Sequence, residues 1–169
     1  MTKNICDNKY PYSKGYIGLP INIALLPQTI NIDGNILTSK STFHVSLVCV
    51  KNILALYNKE NLEQHIIEKF CNYVSNNEIA FLKFSNEFRF AQFEERKTLI
   101  IRCEVSNLAK FFELLSKELG IQMPLPPTHV TLFTLQPDAG IGLNSYEELE
   151  VKSKIIDISS EIAPILRMV

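Results

Sequence analysis

Two short tetrads restrict what this chain can fold into. His44-Val45-Ser46-Leu47 and His129-Val130-Thr131-Leu132 repeat one pattern, histidine, valine, hydroxyl, leucine, at a spacing of 85 residues (129 minus 44). The sequence contains three histidines, and two of them lie in these repeats. Apolar and polar residues alternate through both, which is the period of a half-buried strand. Residues two apart on a strand share a face. His44 should therefore join Ser46 on one face, and His129 should join Thr131, while Val45, Leu47, Val130 and Leu132 turn into the core. Laid side by side, the two strands would line one cleft with two imidazoles and two hydroxyls. That set suits phosphate chemistry. Imidazole titrates near pH ~6.5 and can give or take a proton, and hydroxyls donate to non-bridging phosphate oxygens.

The 169 residues suit one domain with no linker between its halves. With 46% hydrophobic and 21% charged residues, the composition is that of an ordered globular protein. A net charge of −1 supplies no bulk basic field for a long polyanion. Duplex DNA is thereby disfavoured relative to a small nucleotide or a short RNA or oligonucleotide. Cys6, Cys49, Cys71 and Cys103 are widely spaced without a CxxC, which argues against zinc ribbons and thioredoxin-like sites. They read as reduced, half-buried thiols of a cytoplasmic protein. The polar N-terminus does not resemble a signal peptide, and the apolar run 16–27 is too short to span a bilayer, so no membrane partner is expected. A monomer is the simplest assembly.

In chain order, residues 1–14 read as a loose arm. Strands are expected at Ile21 to Leu26, Ile36 to Thr38 and Phe43 to Val50, with a turn at Asp33-Gly34. A helix follows over 61–76, where Leu62, Ile66, Phe70, Tyr73 and Val74 recur at helical spacing. His65 flanks that stripe on its polar side and reads as a solvated residue. Strands over 79–84, 87–93 and 98–105 come next, the first two joined by a hairpin turn at Ser85-Asn86. Ser106 then caps a helix over 107–119, closed by Gly120. The second tetrad strand spans 129–135. Ser145 with Glu148 forms a capping box for a short helix ending near Lys154, and a last strand lies at 155–158.

The paired tetrads resemble the signatures of the two-histidine (2H) phosphoesterase superfamily, which includes bacterial RNA 2′,3′-cyclic phosphodiesterases, historically called 2′-5′ RNA ligases. Its pattern, His-hydrophobic-Thr/Ser-hydrophobic, occurs twice and well separated, as at 44–47 and 129–132. The Leu119-Gly120-Ile121 step and the prolines before the second tetrad also look familial, so the resemblance covers roughly residues 20 to 158. One departure is Thr128, which stands between Pro127 and the second histidine where many members have proline. The resemblance implies an α+β, bilobal, pseudo-two-fold fold, with two mostly antiparallel sheets facing a central cleft and helices outside. It implies that His44 and His129 act as acid and base, that Ser46 and Thr131 bind the phosphate, and that no metal or other cofactor is required. The expected activity is cleavage of a 2′,3′-cyclic phosphate or of a 2′,5′-linked or cyclic oligonucleotide. The alternative is a non-catalytic module that binds a nucleotide or RNA end on the same fold. The sequence leaves open which histidine is the base.

Phe43, Phe133 and Tyr146 flank the tetrads and the following loop and are candidates to stack on a base, although aromatics beside strands commonly pack as core. Gly140, in Gly140-Ile141-Gly142, could let backbone N–H groups approach a phosphate. Arg89, Arg96 and Arg102 lie between the tetrads, and any of them could add a phosphate contact.

Overall fold

The computed structural model describes residues 2–158 and Ile162. Among the described residues ten strands and four helices follow in order: β1 (Lys3–Ile5), β2 (Tyr10–Ser13), β3 (Tyr16–Ile21), β4 (Thr29–Ile32), β5 (Asn35–Ser39), β6 (Phe43–Cys49), α1 (Val50–Leu56), α2 (Leu62–Val74), β7 (Phe81–Phe93), β8 (Arg96–Val105), α3 (Leu108–Leu119), β9 (His129–Thr134), α4 (Tyr146–Lys152) and β10 (Ser153–Ile156). This is an α+β arrangement in which every strand pairing is antiparallel. Where two sheets were expected, the strands form a single one, ordered β1-β2-β3-β6-β9-β8-β7-β10, with the β4–β5 hairpin joined to β9 through β5. The reason lies at the middle. The tetrad strands β6 and β9 pair directly, in register at Val45 and Val130, and fuse two four-strand runs into one.

Alternation sorts the two faces. Val45, Val130 and Ile101 stand side by side across β6, β9 and β8, and all are buried in a cluster with Ile66 and Phe70 of α2 and Phe111 and Leu115 of α3. Edge-to-face contacts from Tyr10 to Phe70 and from Phe70 to Phe111 run through this layer. On the opposite face Ile100 neighbours Thr131 and packs with Ala91, Ile141, Leu143 and Leu149. The 135–145 connection and α4 therefore cover the β8–β7 end of the face that carries the tetrads' polar groups.

Several sequence expectations are corrected. The 1–14 arm is not loose, because β1 and β2 form a hairpin that buries Ile5, Tyr10 and Tyr12. The Tyr10 hydroxyl accepts from Ile79 N and donates to Ile79 O, and Tyr12 donates to Glu63 at 2.9 Å. Cys6 and Cys71 are joined in a disulfide that ties this hairpin to α2, while Cys49 and Cys103 are free. Four reduced thiols were the ground for a cytoplasmic location, and that ground is removed, since disulfides persist mainly in oxidising compartments. The apolar run after Ile21 is irregular, and its strand lies earlier, over Tyr16–Ile21. Ser85-Asn86 is not a hairpin turn but an irregularity inside one long strand, β7. The Ser85 hydroxyl donates to Arg102 O and accepts from Glu87 N, which satisfies the backbone there. Ser106 does not cap α3. The cap is Asn107 at φ 61, and the Ser106 hydroxyl binds Ala80 N and Glu78 O instead. α1 follows β6 without a break and was not anticipated. The Ser145–Glu148 capping bond and the left-handed Gly120 at the end of α3 are as expected. No helix among the described residues is long and apolar enough to cross a membrane.

Candidate functional site

The site follows from one register. Because β6 and β9 are antiparallel through Val45 and Val130, His44 stands opposite Thr131 and Ser46 opposite His129. All four point to the face away from the helical core. His44 and His129 are then diagonal neighbours on adjacent strands, with Cα atoms about 7–8 Å apart, within reach of long side chains.

Each tetrad strand also carries the same irregularity. On β6 the register with β3 runs Gly18 to Ser46 and then Ile17 to Val48, so Leu47 is an extra residue. On β9 the register with β8 runs Ile100 to Thr131 and then Leu99 to Phe133, so Leu132 is extra. The last residue of each tetrad is thus the inserted residue of a β-bulge. In both strands the bulge sends two successive side chains, Leu47 and Val48 or Leu132 and Phe133, into the core at 0% exposure. Bulges of this kind re-aim side chains next to functional sites.

Neighbouring strands complete the floor. Pro20 flanks His44, Gly18 flanks Ser46, Ile100 flanks Thr131 and Arg102 flanks His129. A Cβ on Gly18 would stand 3.7 Å from His44 Cδ2, so the His44 ring lies against β3. His129 Nδ1 is 2.8 Å from Pro127 O. A carbonyl only accepts, so Nδ1 carries hydrogen and Nε2 is the nitrogen left for the cleft. Burial pushes the His129 pKa down to about 4. Arg102 and His44 add to that, and the Pro127 hydrogen bond partly opposes it. His44 is also lowered, first by desolvation and then by Lys40 and Lys14. The effect of His44 on His129 fits their diagonal positions on adjacent strands.

The remaining candidates divide. Phe133 is fully buried and so not free to stack on a ligand, while Phe43 is partly buried against the same core. Each sits on the inward side of its strand. Tyr146 is 51% exposed and its ring lies under the Arg102 guanidinium at 5.2 Å. Arg102 is further held by Thr128 O, by the Tyr146 hydroxyl and by Glu87. It is the one of the three arginines that joins the site. Arg89 is buried between Glu87, Glu150 and Ser153, and Arg96 donates to Gly140 O at 3.1 Å. Gly140 thus offers its carbonyl to Arg96 and anchors a loop. His65 pairs with Glu118 on the helical side, far from the tetrads in the fold. Among the described residues no group of three or more His, Cys, Asp or Glu could hold a metal ion.

Sequence reasoning missed four residues near this face, Tyr16, Asn144, Lys14 and Lys40. Tyr16 pairs with Cys49 in the sheet, and its hydroxyl hydrogen-bonds Asn144. Lys14 and Lys40 act on His44. None of the four lies within a tetrad, and only Lys40, four positions before His44, had a neighbourhood to suggest it. A separate groove of about 670 Å³, lined by Phe112, Ser116, Met123 and Leu125 among others, lies beside the C-terminal end of α3 and includes neither tetrad.

In comparisons with protein-family models, curated proteins and solved structures, no match to this chain was found.

Proposed function

We propose that the chain is a metal-independent phosphodiesterase of the two-histidine (2H) type. In this reading it cleaves a 2′,3′-cyclic phosphate or a 2′,5′-linked or cyclic oligonucleotide by general acid–base catalysis. The observation that carries the reading is the Val45–Val130 register, which gathers two imidazoles and two hydroxyls on one face of the sheet. Twin bulges at the same position of each tetrad support it. Simple packing would require neither proton carriers nor two matching irregularities.

His129 is the base. Its Nδ1–H is committed to Pro127 O, and its low proton affinity keeps Nε2 unprotonated at neutral pH. It takes the proton of the attacking water or ribose hydroxyl. His44 is the acid and gives a proton to the departing ribose oxygen. Burial, and then Lys40 and Lys14, disfavour protonated His44. A bound phosphate anion offsets their charge and restores His44 as a donor. Ser46, Thr131 and Arg102 hold the non-bridging oxygens as charge builds on them, and Tyr146 offers a face to a base.

The test is a substrate panel assayed with chelator present: 2′,3′-cyclic mononucleotides, 2′,5′- and 3′,5′-oligoadenylates, cyclic oligonucleotides, and RNA ending in a cyclic phosphate. Turnover of at least one is expected, with losses of about 10²-fold or more in His44→Ala and in His129→Ala. Ser46→Ala and Thr131→Ala should lose about 10-fold to 10³-fold. Binding without turnover across the panel would leave a nucleotide-binding module on this fold, and full activity in both histidine variants would refute the mechanism.

A further inference from the structure

The interruption in β7 falls at one point of the site. Phe84 pairs with Cys103 and Phe88 with Ile101, so Ser85, Asn86 and Glu87 together stand opposite the single residue Arg102. Arg102 stands opposite His129. An uninterrupted strand would oppose Arg102 with one residue. Here residues are added, and such bulges re-aim side chains beside functional sites. Both ends of the insertion turn to Arg102. The Ser85 hydroxyl donates to Arg102 O at 3.1 Å, and Glu87 Oε2 lies 3.5 Å from Arg102 Nη1.

The same carboxylate oxygen accepts from Arg89 Nε at 2.6 Å. Arg89 is 4% exposed, and its terminal nitrogens donate to Glu150 at 2.7 Å and to the Ser153 hydroxyl at 3.3 Å. Glu150 follows Tyr146 by four residues, so the two share a face of α4. Tyr146 Oη accepts from Arg102 Nη2 at 3.2 Å, and Thr128 O accepts from Arg102 Nε at 3.1 Å. Each nitrogen of the Arg102 guanidinium thus has a partner: Nη1 faces β7, Nη2 faces α4, and Nε faces the residue before His129. Among the ion pairs of the described residues, Glu87 supplies the one carboxylate that Arg102 meets. A guanidinium has five N–H groups, so donors remain for an anion after these three contacts.

We propose that Glu87 is a positioning residue. Set against the buried Arg89, it holds the Arg102 guanidinium beside His129 in the orientation that turns its remaining N–H groups to the phosphate. Donors fixed before the reaction stabilise developing charge without reorganising. An arginine released from Glu87 must find that orientation again in every turnover. This rests on the tetrad face being the reaction site, and one arm of its test does not depend on turnover.

The Arg102 Nε–H resonance, assigned by its absence in Arg102→Gln, is followed by proton–nitrogen NMR in the native protein and in variants. Its exchange with water is expected to quicken about 10-fold or more in Glu87→Gln, as for a locally opened contact. Glu87→Asp keeps the charge, draws it back by one methylene, and should show a smaller change in the same direction. Glu150→Gln takes a carboxylate from Arg89 alone and should leave the resonance unmoved. With a substrate that turns over, kcat of Glu87→Gln should fall about 10-fold with KM within about 3-fold, because the interaction lost is one made in the transition state. A merely structural loss around Arg89 would affect Glu87→Gln and Glu150→Gln alike. An unmoved Arg102 resonance in Glu87→Gln, or equal losses in those two variants, would overturn the proposal. If no substrate of the panel is turned over, the phosphodiesterase reading fails, and the resonance alone decides whether Glu87 fixes Arg102. Turnover with an unmoved resonance keeps that reading and overturns this one.

Discussion

Cutting the Cys6–Cys71 disulfide should cost this protein a large part of its stability. The bond spans a sequence separation of 65. Closing a loop of that length removes chain entropy from the unfolded state worth about 4 kcal/mol, on a scale that gives about 3 for 15 residues and about 4.7 for 100. With an unfolding entropy of about 2.1 cal/mol/K per residue, a chain of 169 residues should lose about 10 °C in Tm. The loss should be transmitted to the site. The β1–β2 hairpin that the disulfide anchors pairs with β3, and β3 pairs along the whole of β6. The assay is thermal unfolding of the oxidised protein, of the protein held in reductant, and of Cys6→Ser/Cys71→Ser. Hydrogen exchange over 3–21 should report where protection is lost. Cys49→Ser serves as control, since Cys49 is a free thiol. A Tm change below about 3 °C on reduction, or four titratable thiols in protein purified under oxidising conditions, would refute the reasoning.

Other outcomes can be checked independently. His129 has a folded pKa of about 4 against ~6.5 unfolded. Between those values the unfolded chain binds a proton that the folded chain refuses, so the contribution is complete above pH ~6.5 and is lost as pH falls towards 4. It is on the order of 2–3 kcal/mol, and urea unfolding at pH 7 and at pH 4.5 should show it in the native protein and not in His129→Gln. Removing the cation in Arg102→Gln should raise the His129 pKa, because Arg102 helps to hold it down; an unmoved imidazole titration by NMR would show that the two do not interact. Tyr146→Ala should weaken nucleotide binding by about 1–3 kcal/mol if the exposed ring stacks on a base, and an unchanged Kd would remove it from the site.

The tetrad strands were legible because alternation is a local signal and both segments keep it without interruption. The helices α2 and α3 were legible through their apolar stripes. Two things were beyond a local reading. The pairing of β6 with β9 is a contact between distant segments, and no residue in either tetrad encodes its partner, so a cleft between two sheets was as consistent with the pattern as one fused sheet. The disulfide was equally hidden, since Cys6 lies in a polar stretch that reads as an arm until Tyr10 and Tyr12 are seen to bury their rings. Ser85 and Ser106 misled for a shared reason: a serine hydroxyl satisfies a turn, a helix cap or an interrupted strand with the same atoms, and tertiary packing decides which. Arg102 could be named but not selected from the sequence, because its choice over Arg89 and Arg96 rests on cross-strand neighbours.

The seam at Val45 and Val130 has a consequence for how the protein matures. Under the proposed function neither half of the polypeptide carries a complete site, because each contributes one imidazole and one hydroxyl that the other must complete. During synthesis the first tetrad must wait for some 85 further residues to be made (129 minus 44). If the proposed function holds, competence should therefore await the β6–β9 pairing, and products truncated before β9 should be inert however well their early hairpins have formed.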